Sequence, residues 1–184
     1  MGHTHLNVNI LQNPMFPGVA LIMGNRYIKL LVIAGSICIL DQVSKALVVA
    51  AIDVYDTIAV IPGFFNLTHI YNPGGAFGFL ARSPSEMRHL FFLGASFAAM
   101  GLILLLYAKT PPHQRLLEWA LALILGGAIG NIIDRIRIGK VIDFLDVYIK
   151  DLHWPAFNVA DSAITIGICL FIYHLIFIEL PGKE

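Results

Sequence analysis

Apolar residues run through this chain in four long blocks, and polar phrases gather in the gaps between them. The blocks are Tyr27–Ala51, His89–Tyr107, Leu116–Ile133 and Ala160–Ile178. A helix rises 1.5 Å per residue, so about 20 apolar residues cross the hydrocarbon of a bilayer. Each block is close to that length. Only structures that satisfy their own backbone hydrogen bonds survive in lipid, so all four are predicted to be spanning helices.

Two intervening stretches follow another pattern. Thr57–Ile61 and Phe64–Ile70 are rich in β-branched and aromatic residues and are parted by Pro62-Gly63. Val141–Tyr148 alternates in part. These read as short strands with a turn. The predicted fold is a membrane all-α core of four transmembrane helices. A small β-sheet and a short amphipathic loop helix lie over one end. Residues 27–180 form one domain with long loops near 52–86 and 134–159, and residues 1–26 are expected to be a disordered extension.

Four crossings fix a sidedness. The two long loops share one face of the membrane, and both termini share the other with the linker Lys109–Arg115. Helices three and four are antiparallel, so Asp134 and Asp161 come to one membrane depth. Asp41 and Lys45, near the end of the first helix, arrive at the same level.

Composition agrees with a membrane chain. Hydrophobic residues make up 58% of the 184 and charged residues 13%, about half the usual soluble share. The formal net charge is zero, so no basic surface argues for nucleic acid. Cys38 and Cys169 lie in apolar blocks and read as buried small hydrophobes rather than a disulfide. Arg26, Lys29, Lys109, Arg115 and Lys183 flank one face, and Arg82, Arg88, Arg135, Arg137, Lys140 and Lys150 the other. That count does not orient the chain by the positive-inside rule.

Carboxylates at the ends of membrane helices are expensive unless paired, hydrated or useful. Asp134 and Asp161 each sit in a dense polar phrase, Gly-Asn-Ile-Ile-Asp-Arg (130–135) and Phe-Asn-Val-Ala-Asp-Ser (157–162). Two carboxylates sharing a proton can hydrolyse a peptide bond, one as general base and the other as a protonated hydrogen-bond donor. Like charges close together drive the two apparent pKa values apart. Asn131 and Asn158 each precede an aspartate by three residues; where both members are helical this spacing lets an amide orient an acid on one face, and Asn158 stands either in the helix or just before it. Asp41 and Lys45 are one turn apart and suit a salt bridge. Gly126, Gly127 and Gly130 leave room for a substrate or for another helix. No Ser-His-Asp set, Cys-His pair or His-Glu-x-x-His phrase competes.

The chain resembles lipoprotein signal peptidase, signal peptidase II. Five phrases carry the resemblance, in order: Leu40–Lys45, Asn72–Phe77, Gly126–Arg135, Val141–Phe144 and Phe157–Ser162. It covers about residues 27 to 178. It implies a bacterial inner-membrane aspartic endopeptidase that cuts prolipoproteins just before a diacylglyceryl-modified cysteine. It also implies cytoplasmic termini, a periplasm-facing site and sheet, and inhibition by globomycin, a cyclic lipopeptide. The implied catalytic pair is Asp134 and Asp161. Asp41, Lys45, Asn72, Gly74, Asn131, Arg135, Asp143 and Asn158 shape the site or bind substrate. Membrane lipids are the other expected partners, and no cofactor or metal is expected. The loop Asn72–Phe79 is expected to act as a lid, hinged at its glycines and closed by Phe77 and Phe79. Three other readings remain: a small transporter or proton relay, a metal-dependent hydrolase using Asp134, Asp143 and Asp161, and a purely structural helical protein.

Overall fold

A computed structural model describes residues 17–74 and 84–179. Four helices are observed: α1 (Pro17–Ala51), α2 (Ser85–Lys109), α3 (Arg115–Ile138) and α4 (Val159–His174). A π-helical turn, Leu175–Glu179, continues α4. All four are long and apolar enough to cross a membrane, α4 together with its π turn. The helix α1 begins at Pro17, not Tyr27; proline suits a first helical turn, where its missing N–H goes unused. The helix α3 does not end at Asp134 as expected. It continues to Ile138 and closes on Gly139, whose φ of +74° is the left-handed conformation a helix C-cap favours.

The helix α3 is the hub. In its spanning window 67% of residues are buried, against 11–22% in the other three. Leu117, Leu121, Ala122 and Leu125 of α3 pack against Leu30, Ile33 and Ala34 of α1 and Ile103 and Tyr107 of α2. The other helices turn Leu31, Leu47, Leu90, Leu102, Ile166 and Ile172 outward, as a lipid-facing surface requires. Three glycines bring the backbones close. A Cβ on Gly126 would come within 2.8 Å of the Ala34 carbonyl of α1, and one on Gly127 would collide with the Ala160 carbonyl of α4. One on Gly130 would lie 2.6 Å from the Asp41 carboxylate. These glycines therefore serve helix contact.

Four antiparallel strands, β1 (Thr57–Ile61), β2 (Phe65–Asn72), β3 (Val141–Ile149) and β4 (Leu152–His153), form a sheet in that order. Gly63 turns the first hairpin at φ +84°, a conformation glycine adopts without a Cβ penalty. Val48 of α1 and Ile52, just past its end, pack on Phe144 of β3, which fastens the sheet over the helix ends. The expected amphipathic loop helix is not found among the described residues. The outer part of the expected lid, from Gly75 through Phe77, Gly78 and Phe79, lies outside them.

Candidate active site

The end of α1, the last two turns of α3, strand β3 and the start of α4 meet beneath the sheet. The phrase Asp41-Gln42-Val43-Ser44-Lys45 is helical, so Asp41 and Lys45 share a face. The Lys45 ammonium lies 2.7 Å from Asp41 and 2.8 Å from Asp134. It also donates to Asn131 Oδ1 at 3.1 Å. Asp41, Lys45 and Asp134 are at most 2% exposed. A buried charge is stable only when paired and hydrogen-bonded, and here each is both. Asp41 Oδ1 also accepts from the Ala160 backbone N–H at 2.9 Å, pinning the start of α4 to α1.

Asp134 is engaged on both oxygens. Oδ1 accepts from Gln42 at 3.0 Å, and Oδ2 accepts from the Ile142 N–H at 3.2 Å as well as from Lys45. It does not meet Asp161 directly in these bonds. The link runs from Asp134 to Lys45, on to Asn131, and from the Asn131 amide to Asp161 Oδ1 at 2.8 Å.

Asn158 is the N-cap of α4, fully buried. Its Oδ1 accepts from the Asp161 N–H at 2.8 Å, the usual way a cap satisfies an orphan donor. Its Nδ2 donates to Asp143 Oδ1 at 2.8 Å, with longer contacts to the Ile142 carbonyl and Asn131 Oδ1. One amide thus touches both Asp143 and Asp161. The second oxygen of Asp143 accepts from Asn72 at 2.8 Å, and Asn72 in turn accepts from the Gly74 N–H. Gly74 has φ +88°, and a Cβ there would run into the Phe92 ring.

Asp143 differs from Asp134 in its partners. Neutral amides hold it, and no cation is bonded to it among the described residues. Burial pushes its carboxyl up to about 7, with the nearby Asp161 charge adding to the rise and the Asn72 and Asn158 hydrogen bonds opposing it. Asp161 is only half-buried, and its Oδ2 has no hydrogen-bond partner among the described residues. It lines a mainly apolar cavity of about 930 Å³ between the strap His153–Phe157 and Ser162, Thr165 and Ile166 of α4. Asp134 borders a smaller cavity, about 250 Å³, with Gln42, Lys45, Tyr71 and Arg137. Arg135 stays beside the cluster and reaches the Asn131 carbonyl at 3.4 Å.

The structure thus brings together every site residue expected from sequence. Gln42 was not among those expected, although it stands next to Asp41. A lone glutamine one position from a charged residue carries no periodic signal.

Four spans around a buried carboxylate–amide–ammonium cluster, open to an apolar cavity, define a polytopic membrane enzyme whose reagents are carboxylates. Relatives agree. The family model for signal peptidase (SPase) II matches residues 33–177. A protein of Desulforapulum autotrophicum named lipoprotein signal peptidase is 52% identical over 154 residues, covering 84% of this chain and 95% of its own. One of the same name from Geobacter sulfurreducens is 49% identical, covering 79% and 89%. A bacterial membrane enzyme solved by the in meso method at 2.3 Å superposes with a TM-score of 0.74 at 32% identity, covering 85% of this chain and 92% of that one. This chain belongs to the signal peptidase II family: it is an aspartic peptidase and a multi-pass membrane protein.

Proposed function

We propose that the enzyme removes signal peptides from prolipoproteins, cutting before a diacylglyceryl-modified cysteine, and that Asp143 and Asp161 are its working pair. The observation that carries the pairing is the Asn158 side chain, bonded to Asp143 and to the backbone of Asp161 at once. An acid–base pair needs one group that keeps a proton near neutrality and one that is ionised. Asp143, raised to about 7, suits the first. Asp161, with an oxygen on the cavity that has no partner among the described residues, suits the second. Asp134 stood in this pair on sequence grounds. Its direct ion pair with Lys45 and its fully engaged oxygens favour a positioning role instead.

In this mechanism Asp161 takes a proton from water as the water oxygen bonds to the scissile carbonyl carbon. Protonated Asp143 donates to the carbonyl oxygen. The proton held by Asp161 then passes to the leaving amine as the C–N bond breaks, and a hydroxyl proton of the tetrahedral diol returns to Asp143 as the C=O of the acid product re-forms. Asn131 and Asn158 hold the two acids in place. Lys45 pairs with both Asp41 and Asp134 and so ties α1 to α3, while Asp41 reaches α4 through the Ala160 N–H. Acyl chains of the substrate lie in the apolar cavity and the adjoining lipid, each buried CH₂ contributing about 0.8 kcal/mol. Globomycin-type lipopeptides compete for the same space. The termini are cytoplasmic, in a bacterial inner membrane, with the sheet and site facing the periplasm.

The test is turnover of diacylglyceryl-modified prolipoprotein by pure enzyme carrying Asp134→Asn, Asp143→Asn or Asp161→Asn. Loss of an acid–base group costs about 10²–10⁴ in rate, expected for Asp143→Asn and Asp161→Asn. Folded Asp134→Asn should keep turnover within about tenfold while melting earlier, since it breaks a buried ion pair. An inactive but folded Asp134→Asn beside an active Asp143→Asn would return Asp134 to the pair. Equal cutting of unmodified prolipoprotein would sink the lipid requirement.

A further inference from the structure

The end of the bundle opposite the carboxylates holds a second charged cluster. The spanning parts of α1 and α3 begin there at Asn25 and Arg115, and α2 ends there at Lys109. Arg26 is buried and donates to the Tyr107 carbonyl at 2.5 Å, while the Tyr107 hydroxyl donates back to the Arg26 carbonyl at 2.7 Å. Glu118 receives Lys29 at 2.9 Å. Its other oxygen faces Arg26 Nε at 3.4 Å, and neither of those two atoms makes a hydrogen bond among the described residues. A cavity of about 170 Å³ opens here, lined by Asn25, Arg26, Lys29, Pro112, Arg115 and Glu118.

The charges do not balance. Arg26, Lys29 and Arg115 face one carboxylate, and the Arg115 guanidinium has no partner among the described residues. The excess of two positive charges sits at the mouth of a cavity, at the level where spans meet water. Trp119 stands beside it, with Lys29 Nζ 5.5 Å from its ring, as interfacial aromatics do. Arg115 and Asn25 are exposed and Lys29 half-buried, so the opening is reachable from the headgroup layer.

We propose that this cavity binds the headgroup of one anionic phospholipid, its phosphodiester held between Lys29 and Arg115 with Asn25 as a further donor and Arg26 as the fixed charge behind. Basic pockets between membrane helices recognise anionic lipid in this way. The bound lipid bridges the starts of α1 and α3, so it stabilises the bundle far from the peptidase site.

The test uses the full chain in nanodiscs of phosphatidylcholine, with and without phosphatidylglycerol. The readouts are lipid retained in native mass spectrometry and the melting temperature. One phosphatidylglycerol is expected to remain bound and to raise the melting temperature. Arg115→Gln and Lys29→Gln should each weaken its binding about fivefold, while Lys150→Gln, at the other end, should not. Arg115→Gln breaks no hydrogen bond or ion pair among the described residues, so it should melt with the wild type in phosphatidylcholine alone. Equal melting in the two lipids, or full retention by Arg115→Gln, overturns the site. Equal protection by inorganic phosphate in phosphatidylcholine overturns the lipid assignment.

Discussion

Asp143 is a carboxyl whose environment has removed the usual preference for charge. Its folded value of about 7 lies well above the usual carboxylate range near 4. The folded state therefore holds this proton more tightly than the unfolded chain does. The stability it contributes is fully present below about pH 4 and is lost as pH rises through about 7. The melting temperature, followed from pH 5 to pH 8, should fall across that window by less in Asp143→Asn than in the wild type. An unchanged slope would show that Asp143 does not hold the proton. At this scale the sequence was legible in part. Asp41, Lys45, Asn131 and Asn158 stand three or four residues from a partner and were assigned to the site, although the cap made by Asn158 was not read from its spacing. Which acid faces which was not legible, because Asp134 and Asp143 lie in neighbouring phrases and differ only in their partners.

Elements explain why α3 carries so many glycines. Gly127 meets the Ala160 carbonyl of α4, so the added methyl of Gly127→Ala must push the helices apart. Overpacking of this kind costs about 1–3 kcal/mol. Gly101 of α2 has nothing within 4 Å of a Cβ, and Gly101→Ala gains up to about 1 kcal/mol of helix propensity. Thermal unfolding of the two variants should therefore move in opposite directions. Similar shifts would mean that α3 and α4 are not in backbone contact. The spans were legible because lipid demands long apolar runs, and the first two strands because β-branched runs flank a Pro-Gly turn. The end of α3 was misplaced by four residues. Asp134 and Arg135 look like a boundary in sequence, but Lys45 and the Ile142 N–H satisfy Asp134 inside the helix, and Gly139 makes the stop.

For the whole molecule, opposite ends have opposite electrostatic designs. One holds four acids around a single buried lysine and Arg135. The other holds three cations around Glu118. Topology puts Lys150 and Lys109 at these two ends. With Cys38 and Cys169 replaced by serine, Lys150→Cys should react with an impermeant thiol reagent in cells with a permeabilised outer membrane. Lys109→Cys should react only after the inner membrane is opened. The reverse pattern would invert the proposed orientation, which the loop charges by themselves did not decide.

By itself, the sequence determined the four crossings, the strands near one face and the meeting of Asp41, Lys45, Asp134 and Asp161 at one depth. Helical rise, lipid solvation and the parity of crossings are properties of the chain read in one dimension. Only tertiary structure decided which groups each acid touches. Lys45 reaches Asp134 from another helix, and Asn158 reaches Asp143 from another element. A carboxyl's role follows from whether a cation or a neutral amide lies about 3 Å from it, and that distance exists only after the helices pack.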